Sequence, residues 1–374
     1  MKTLRILIVG GGIGGLATAR ALDRRGFRPQ IVERAAEWPK SGTGLYLPAN
    51  GFRALEALGL EEVVESRALV ITRQRFLNHR GSLVTEVDLD RVWRACGSCL
   101  SVLRTDLHDA LLSGATGLPL RPGTAIESIT QGVGGARASF TDGSSAEFDL
   151  IVGADGIRSS VRRLIFDKQA PRLVGQVSWR FLVDGFPEID AWTVMLGEGK
   201  TFLVIPLGRG RVYCYCDVNS SSAEDPTGGD LERLRRLFES FADPAPRIFE
   251  SIIADPRDTY FSPIEEVAEG PSVRGRVVLI GDAAHGMSPN MAEGASLALE
   301  DAVVLAESIA AERSVNESLA SFERRRSPRI GHVRAATHRR DRTRALPPVV
   351  RDAVLRLAGK RIFYANYRPL IEAP

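Results

Sequence analysis

Cysteine is scarce in this chain, with four in 374 residues, and that excludes a disulfide framework. Cys96 and Cys99 have redox or metal-ligand spacing. No further pair of that kind and no suitably spaced histidine pair accompanies them, so no metal site is expected. Cys214 and Cys216 alternate with Tyr213 and Tyr215, a period of two that reads as one packed strand face. Long apolar runs are missing as well: no stretch approaches the ~18–20 residues that a membrane-spanning helix needs. The run Ile6–Val9 behind Lys2 and Arg5 has a signal-like start but turns into glycines too soon to be one. A soluble cytoplasmic protein is expected. Internal repeats and low-complexity segments are absent too. Hydrophobic residues at 44% and charged residues at 25% are ordinary for a globular protein, and the length suits two domains or one composite fold.

Acids are thin at one end. Residues 313–374 hold 15 Lys and Arg against 5 Asp and Glu, a net of +10, which leaves the first 312 residues at −7. Such a segment can meet nucleic acid or an anionic membrane. Interrupting acids and apolar residues, with few aromatics to stack on bases, favour a solvated arginine-rich helical surface instead. No nucleic-acid partner is expected, and membrane contact through the basic C-terminus is a lesser alternative.

What is present begins with Leu4–Val9, a β-branched apolar run of the kind buried in parallel sheets. Gly10–Gly15 is a turn. Leu16–Arg25 has helical apolar spacing closed by Gly26, and Gln30–Glu33 starts apolar and ends in an acid. These make a βαβ unit. Ala49–Leu58 and Arg104–Leu112 have helical patterns, the latter with Thr105 as N-cap. Leu69–Leu89 alternates as strands do, and Phe140–Val152 reads as strand, Asp142-Gly143 turn, strand. Gln176–Val183, Trp192–Leu196, Thr201–Leu207 and Arg211–Val218 are strand-like runs separated by Gly and Pro, which predicts an antiparallel sheet. Leu231–Phe241 is helical, Arg276–Ile280 a buried strand and Gly294–Ala311 a long helix. The last sixty residues have helical patterning, with breaks at Pro328 and at Pro347-Pro348. The fold class is α/β. A discontinuous dinucleotide-binding domain takes residues 1–70, 100–165 and 272–330. A substrate-binding sheet domain, 71–99 and 166–271, is inserted into it, and 331–374 is a helical C-terminal segment.

Gly10-Gly11-Gly12-Ile13-Gly14-Gly15 satisfies the glycine pattern of a dinucleotide fingerprint. The first glycine permits the turn, the second lets the backbone approach a pyrophosphate, and the third lets helix and strand close up. The helix start offers free N–H groups and partial positive charge to phosphates. Glu33 follows Gly10 by 23 residues, near the spacing of an acid that binds ribose hydroxyls. A fingerprint after a strand, before a helix and followed by that acid is specific for a dinucleotide, but it does not separate FAD from NAD.

Two further stretches bear on the cofactor. One is Asp149-Leu-Ile-Val-Gly-Ala-Asp155-Gly156-Ile-Arg-Ser159-Ser-Val-Arg162. The other is Gly281-Asp282-Ala-Ala-His285, followed by Pro289 and by Glu300-Asp301-Ala302. With them the chain resembles the FAD-dependent aromatic hydroxylases, the para-hydroxybenzoate-hydroxylase-like flavoprotein monooxygenases, over nearly its whole length and in order. The resemblance implies a Rossmann-type, glutathione-reductase-like FAD-binding domain. The stretch from Asp149 resembles the family's DG motif, beside the FAD pyrophosphate and the incoming nicotinamide. The stretch from Gly281 resembles its GD motif, with Asp282 on the ribityl chain and the loop Pro289–Gly294 beside the flavin ring. A helix start there would stabilise the anionic reduced flavin. Arg104 matches an arginine that reaches FAD, and Gly42-Thr43-Gly44-Leu45 matches a flavin-covering segment. The residues expected to hold FAD are Gly10, Gly12, Ile13, Gly14, Gly15, Glu33, Arg34, Gly44, Leu45, Arg104, Asp155, Gly156, Gly281, Asp282, Pro289, Ala292, Gly294, Ala295 and Ser296. The flavin loop departs from the family's Gly-Gln-Gly…Asn: Ala292, Glu293 and Ser296 stand for the first Gly, the Gln and the Asn. A carboxylate there would disfavour the reduced anion unless it faced solvent. His285 belongs to the turn and is read as structural.

The implied activity is hydroxylation of a small aromatic or conjugated substrate with NADPH or NADH as transient reductant and O2 as oxidant, through a flavin C4a-hydroperoxide. The protein itself would supply orientation, electrostatics and water exclusion. A base or hydrogen-bonding group near the substrate would help. The candidates are Tyr213, Arg180 and Lys200. The segment from Val204 to Asp217 is similar to the urate-hydroxylase branch, in which a tyrosine matching Tyr213 serves the substrate, but that branch has an arginine where Thr201 stands. Epoxidation of a lipid or quinone, C=C reduction and a low-turnover flavin-binding sensor are the alternatives. Either a monomer or a homodimer is compatible with the sequence.

Overall fold

The computed structural model describes residues 4–38 and 42–374; Lys2 of the amino-terminal run and Ser41 of the loop before Gly42 lie outside them. The strand Ile6–Val9 is buried on both sides. Parallel partners flank it, Leu150–Gly153 on one side and Gln30–Glu33 on the other. Val277–Leu279 and Leu120–Pro122 extend the sheet in the same sense, and Val273–Arg274 closes one edge antiparallel. One six-stranded sheet therefore draws on widely separated parts of the chain. Alternation divides the first strand between two cores. Ile6 and Ile8 pack with the helices Ile13–Asp23 and Gly294–Ala311 through Leu16, Leu299 and Ala302. Leu7 and Val9 pack with a three-stranded antiparallel sheet, Ile126–Gln131, Ala136–Phe140 and Ser145–Phe148, through Phe140 and Phe148. With both faces covered, the strand must be apolar at every position, which is why it reads as a continuous run.

A seven-stranded sheet stands beside this unit. Its order is Tyr260–Glu266, Arg172–Val183, Arg211–Asn219, Lys200–Gly208, Trp192–Leu196, Arg73–Asn78, Leu83–Asp88. Five of its six pairings are antiparallel; Trp192–Leu196 and Arg73–Asn78 run parallel, so the sheet is mixed. Parallel neighbours need a long crossover, and this one is long because strands of the six-stranded and three-stranded sheets separate the two strands in sequence. One face packs on the helices Leu231–Leu237 and Ala245–Ala254 through Trp179, Phe202, Cys214 and Cys216. The opposite face carries Tyr213, Tyr215, Ile205, Trp192 and Val194.

Two helices complete the chain. Val315–Arg344 runs unbroken through Pro328, where a break was expected. Arg326, Arg329 and Val333 are buried on both sides of the proline, and that packing holds the helix across the one hydrogen bond a proline cannot make. The break falls at 345–347, before Pro348–Ile371, which takes Pro348 at its first position. The expectation of a solvated basic surface fails for much of Val315–Arg344. Arg326 is 1% exposed and pairs with Glu300 and Asp301. Arg329 pairs with Glu300, Arg334 with Glu266 and Arg344 with Asp217. No helix among the described residues is long and apolar enough to cross a membrane.

Candidate active site

A cavity of about 1710 Å³ runs from the fingerprint turn to the open face of the seven-stranded sheet. Its end at the fingerprint turn is built by backbone. Gly10 has φ +110°, and a Cβ there would collide with the Ala154 carbonyl; one at Gly15 would collide with the Gly10 carbonyl. Gly12 has nothing within 4 Å of where a Cβ would be and lines the cavity with Ile13 and Gly14. The helices starting at Ile13 and Gly294 both lack a side-chain cap. Both open onto this one cavity, so two sets of free N–H groups and two positive dipole ends face it. Asp282 is exposed into the same space, and Arg104 lines it.

The far end is a floor of side chains set by strand register. Two adjacent rows cross the sheet. The shorter is Tyr213, Ile205, Trp192 and Gln74; the longer is Tyr215, Leu203, Val194, Phe76 and Thr85. All line the cavity. At ~4.8 Å per strand, the longer row spans about 19 Å. The roof comes from the C-terminal helices through Val333, Leu355, Ile362 and Phe363, and from the loop Pro289–Ala292. Gly44 lets the covering loop close on the floor, since a Cβ there would collide with Tyr213. Arg180 lies over the rings of Tyr215 and Tyr260 at 5.2 and 5.9 Å and donates to Ser262 Oγ at 2.7 Å.

Residues 3–337 match the FAD binding domain family. Aurachin C monooxygenase/isomerase of Stigmatella aurantiaca is 33% identical over 354 residues, covering 91% of this chain and 89% of the relative. The 2-heptyl-3-hydroxy-4(1H)-quinolone synthase of Pseudomonas aeruginosa is 33% identical over 341 residues, 88% and 87% of the two chains. The crystal structure of Klebsiella pneumoniae HpxO complexed with FAD and uric acid superposes with a TM-score of 0.90 at 26% identity, covering 99% and 97%. The chain belongs to the FAD-binding-domain family of flavoprotein monooxygenases.

This monooxygenase fits its cofactor by its own geometry. The open space over Gly12, the two uncapped helix starts and the unpartnered Asp282 carboxylate suit phosphates, a flavin edge and sugar hydroxyls in turn. Of the residues expected at FAD, Gly12, Ile13, Gly14, Gly44, Leu45, Arg104, Gly156, Gly281, Asp282, Pro289, Ala292, Gly294 and Ala295 line the cavity. Gly10 and Gly15 do not; they are the close contacts that shape the turn. Glu33 is engaged by the turn itself, accepting from Gly11 N at 2.7 Å and from Ala35 N at 2.8 Å. Arg34 is exposed beyond the strand end. Asp155 accepts from Ser160 N at 2.6 Å and Val161 N at 3.2 Å, so it caps a helix rather than lining the wall, and burial lifts its carboxyl. Ser296 is fully buried against Gly51.

The three candidates for substrate chemistry separate. Tyr213 and Arg180 meet at the floor, where burial raises the tyrosine hydroxyl and the arginine draws it back. Lys200 donates to the Leu237 carbonyl at 2.6 Å on the other side of the sheet. Alternation from Thr201, which faces the cavity, carries that signal. His285 Nε2 lies 2.7 Å from Asp301 Oδ2 in a buried ion-pair cluster. Burial pushes Asp301 up, but Arg326 and His285 outweigh it and hold its carboxyl at about 2. Arg344 went unnoticed in the sequence. It donates to Thr201 Oγ1 at 3.0 Å and pairs with Asp217, whose carboxyl burial raises to about 6. A cation brought from 143 residues away in sequence has no local signature.

Glu293 does not face solvent. It is 2% exposed, with Asn50 Nδ2 donating to one carboxyl oxygen at 3.0 Å and the other oxygen unpartnered. Burial, reinforced by Glu300, pushes its carboxyl up to about 8. The shift favours the protonated, uncharged carboxyl, which has the shape of the glutamine it replaces.

Proposed function

We propose that this monooxygenase hydroxylates the ring of an aromatic or heteroaromatic molecule that carries an aliphatic extension. The apolar stretch Leu203, Val194 and Phe76 of the longer row carries this reading. These side chains offer no hydrogen-bond partner, so a ring without an apolar extension would leave that stretch uncovered. Arg344, the cation at Thr201, is already committed to Asp217, Asn219 and the Gly199 carbonyl. One relative is named for a quinolone ring bearing a heptyl chain, the chemistry such a floor would accept.

FAD would be held by the turn at Gly12–Gly14, by Arg104, by Asp282 and by the helix start at Gly294; when bound it supplies hydride acceptance from NADH or NADPH and activation of O2. The substrate ring sits at the Tyr213 end, within reach of Arg180. That guanidinium has donors left after Ser262 and favours the deprotonated form of a ring hydroxyl, which is the more nucleophilic one. The extension lies along the row toward Phe76 and Thr85, under Leu355 and Ile362. Closure by the roof helices excludes water.

The test is a homologous series of ring hydroxy compounds with lengthening alkyl chains, reading NAD(P)H oxidation, oxygen uptake and product mass together. Each buried methylene contributes ~0.8 kcal/mol, about fourfold in kcat/KM, until the floor ends. Urate or an unalkylated hydroxybenzoate turning over faster than every alkylated member would defeat the proposal.

A further inference from the structure

The outward side of the helix Pro348–Ile371 differs from the rest of the surface. Eleven large apolar side chains are exposed among the described residues, and five of them fall between Leu346 and Tyr364. Val349 and Leu357 are 83% and 87% exposed. Val350, Leu357 and Tyr364 recur every seven residues and so share one side. Arg356, Lys360, Arg361 and Arg368 are exposed with them, and none has an ion-pair or hydrogen-bond partner among the described residues. The helix has one acid, Asp352, which is buried and paired with Arg351. The outward side thus offers four free cations and a row of exposed apolar side chains, with no exposed anion before Glu372 at its C-terminal cap.

This pattern is that of a helix lying in a membrane interface, apolar side chains at the acyl boundary and cations among the headgroups. A second copy of the chain is the poorer occupant, because a symmetric contact through this face would set four cations against four. We infer that the outward face of Pro348–Ile371 docks on an anionic bilayer surface. The inference is independent of the substrate assigned above. The inward side of the same helix, with Leu355 and Ile362, roofs the cavity. Docking therefore brings the cavity within one helix diameter, about 10 Å, of the lipid.

Flavin-loaded full-length protein is sedimented with phosphatidylcholine vesicles, with and without added phosphatidylglycerol. Binding is expected to the anionic vesicles alone. It is lost when salt rises from about 0.05 to about 0.5 M, which shortens the screening length from ~13 Å to ~4 Å. Each cation near such a surface is worth about fivefold in partitioning, so R356Q/R361Q binds about 25-fold more weakly. K360Q/R368Q does the same independently, and L357Q also weakens binding. R236Q, on an exposed site of another helix, binds like wild type. Flavin absorbance and turnover stay unchanged in all of them. No sedimentation with anionic vesicles at low salt, equal binding to neutral vesicles, or wild-type binding by both double variants overturns the inference. A concentration-dependent dimer that L357Q splits assigns the face to a second copy and overturns it equally.

Discussion

Replacing Glu293 with glutamine tests the electrostatics of the flavin loop directly. An ordinary glutamate titrates near 4.5, and Glu293 near 8. That difference of about 3.5 in pKa corresponds to about 5 kcal/mol. The carboxyl is fully buried, so solvent does not screen it away. The sign follows from which state binds the proton more tightly. The folded protein holds it up to about pH 8, whereas the unfolded chain releases it near 4.5. The contribution to stability is therefore complete below about pH 4.5, declines by ~1.4 kcal/mol per pH unit, and is gone above about pH 8. Glu293→Gln keeps the neutral shape and the contact to Asn50 but has no proton to lose. Melting temperatures of wild type and E293Q, measured in parallel from about pH 5 to about pH 9, should diverge steadily in favour of the variant as pH rises, and the divergence should level off near the folded-state pKa. The paired difference cancels every other titrating group. Parallel curves across the whole range would refute the buried neutral acid.

Arg326→Met leaves Glu300 and Asp301 buried without their shared cation, and thermal or denaturant melts should show a loss of about 3–5 kcal/mol. Gly44→Ala sets a methyl against Tyr213, so flavin content and stability should fall, by about 1–3 kcal/mol for the overpacking; a fully yellow protein of wild-type stability would contradict the contact. Burial lifts the Cys96 thiol to about 11 and the Cys99 thiol to about 12, and raises Cys214 and Cys216 well above the usual thiol range. None should react with an aromatic disulfide reagent at mildly alkaline pH until the protein unfolds, and rapid labelling of one thiol in the native state would refute its burial.

Local chemistry was enough for the fingerprint turn. Gly10 and Gly15 are dictated by close backbone approach, Gly12 opens onto the cavity, and a glycine pattern after a buried strand announces itself within one βαβ unit. The period of two around Tyr213 and Tyr215 likewise divided the strand correctly into a packed cysteine face and an open tyrosine face. Lys200 was misjudged because proximity in sequence to Thr201 ignores that successive strand residues point to opposite sides. Asp155 and Glu33 have the right residue type and spacing, but whether such an acid faces a ligand or its own turn depends on hydrogen bonds that spacing does not encode.

The sequence by itself determined the dinucleotide turn as a local βαβ unit, because that depends on contacts within a few residues, and it indicated FAD only through three motifs taken together in order along the chain. Only the tertiary structure decided the rest. The width of the floor comes from pairing strands more than a hundred residues apart. The commitment of Arg344 to Asp217 and of Arg326 to Glu300 and Asp301 turned an apparent basic surface into internal ion pairs. The charge on Glu293 depends on how completely it is removed from water. Burial and long-range partnership are properties of packing, and they set which of the chain's many cations and acids remain free to meet a ligand.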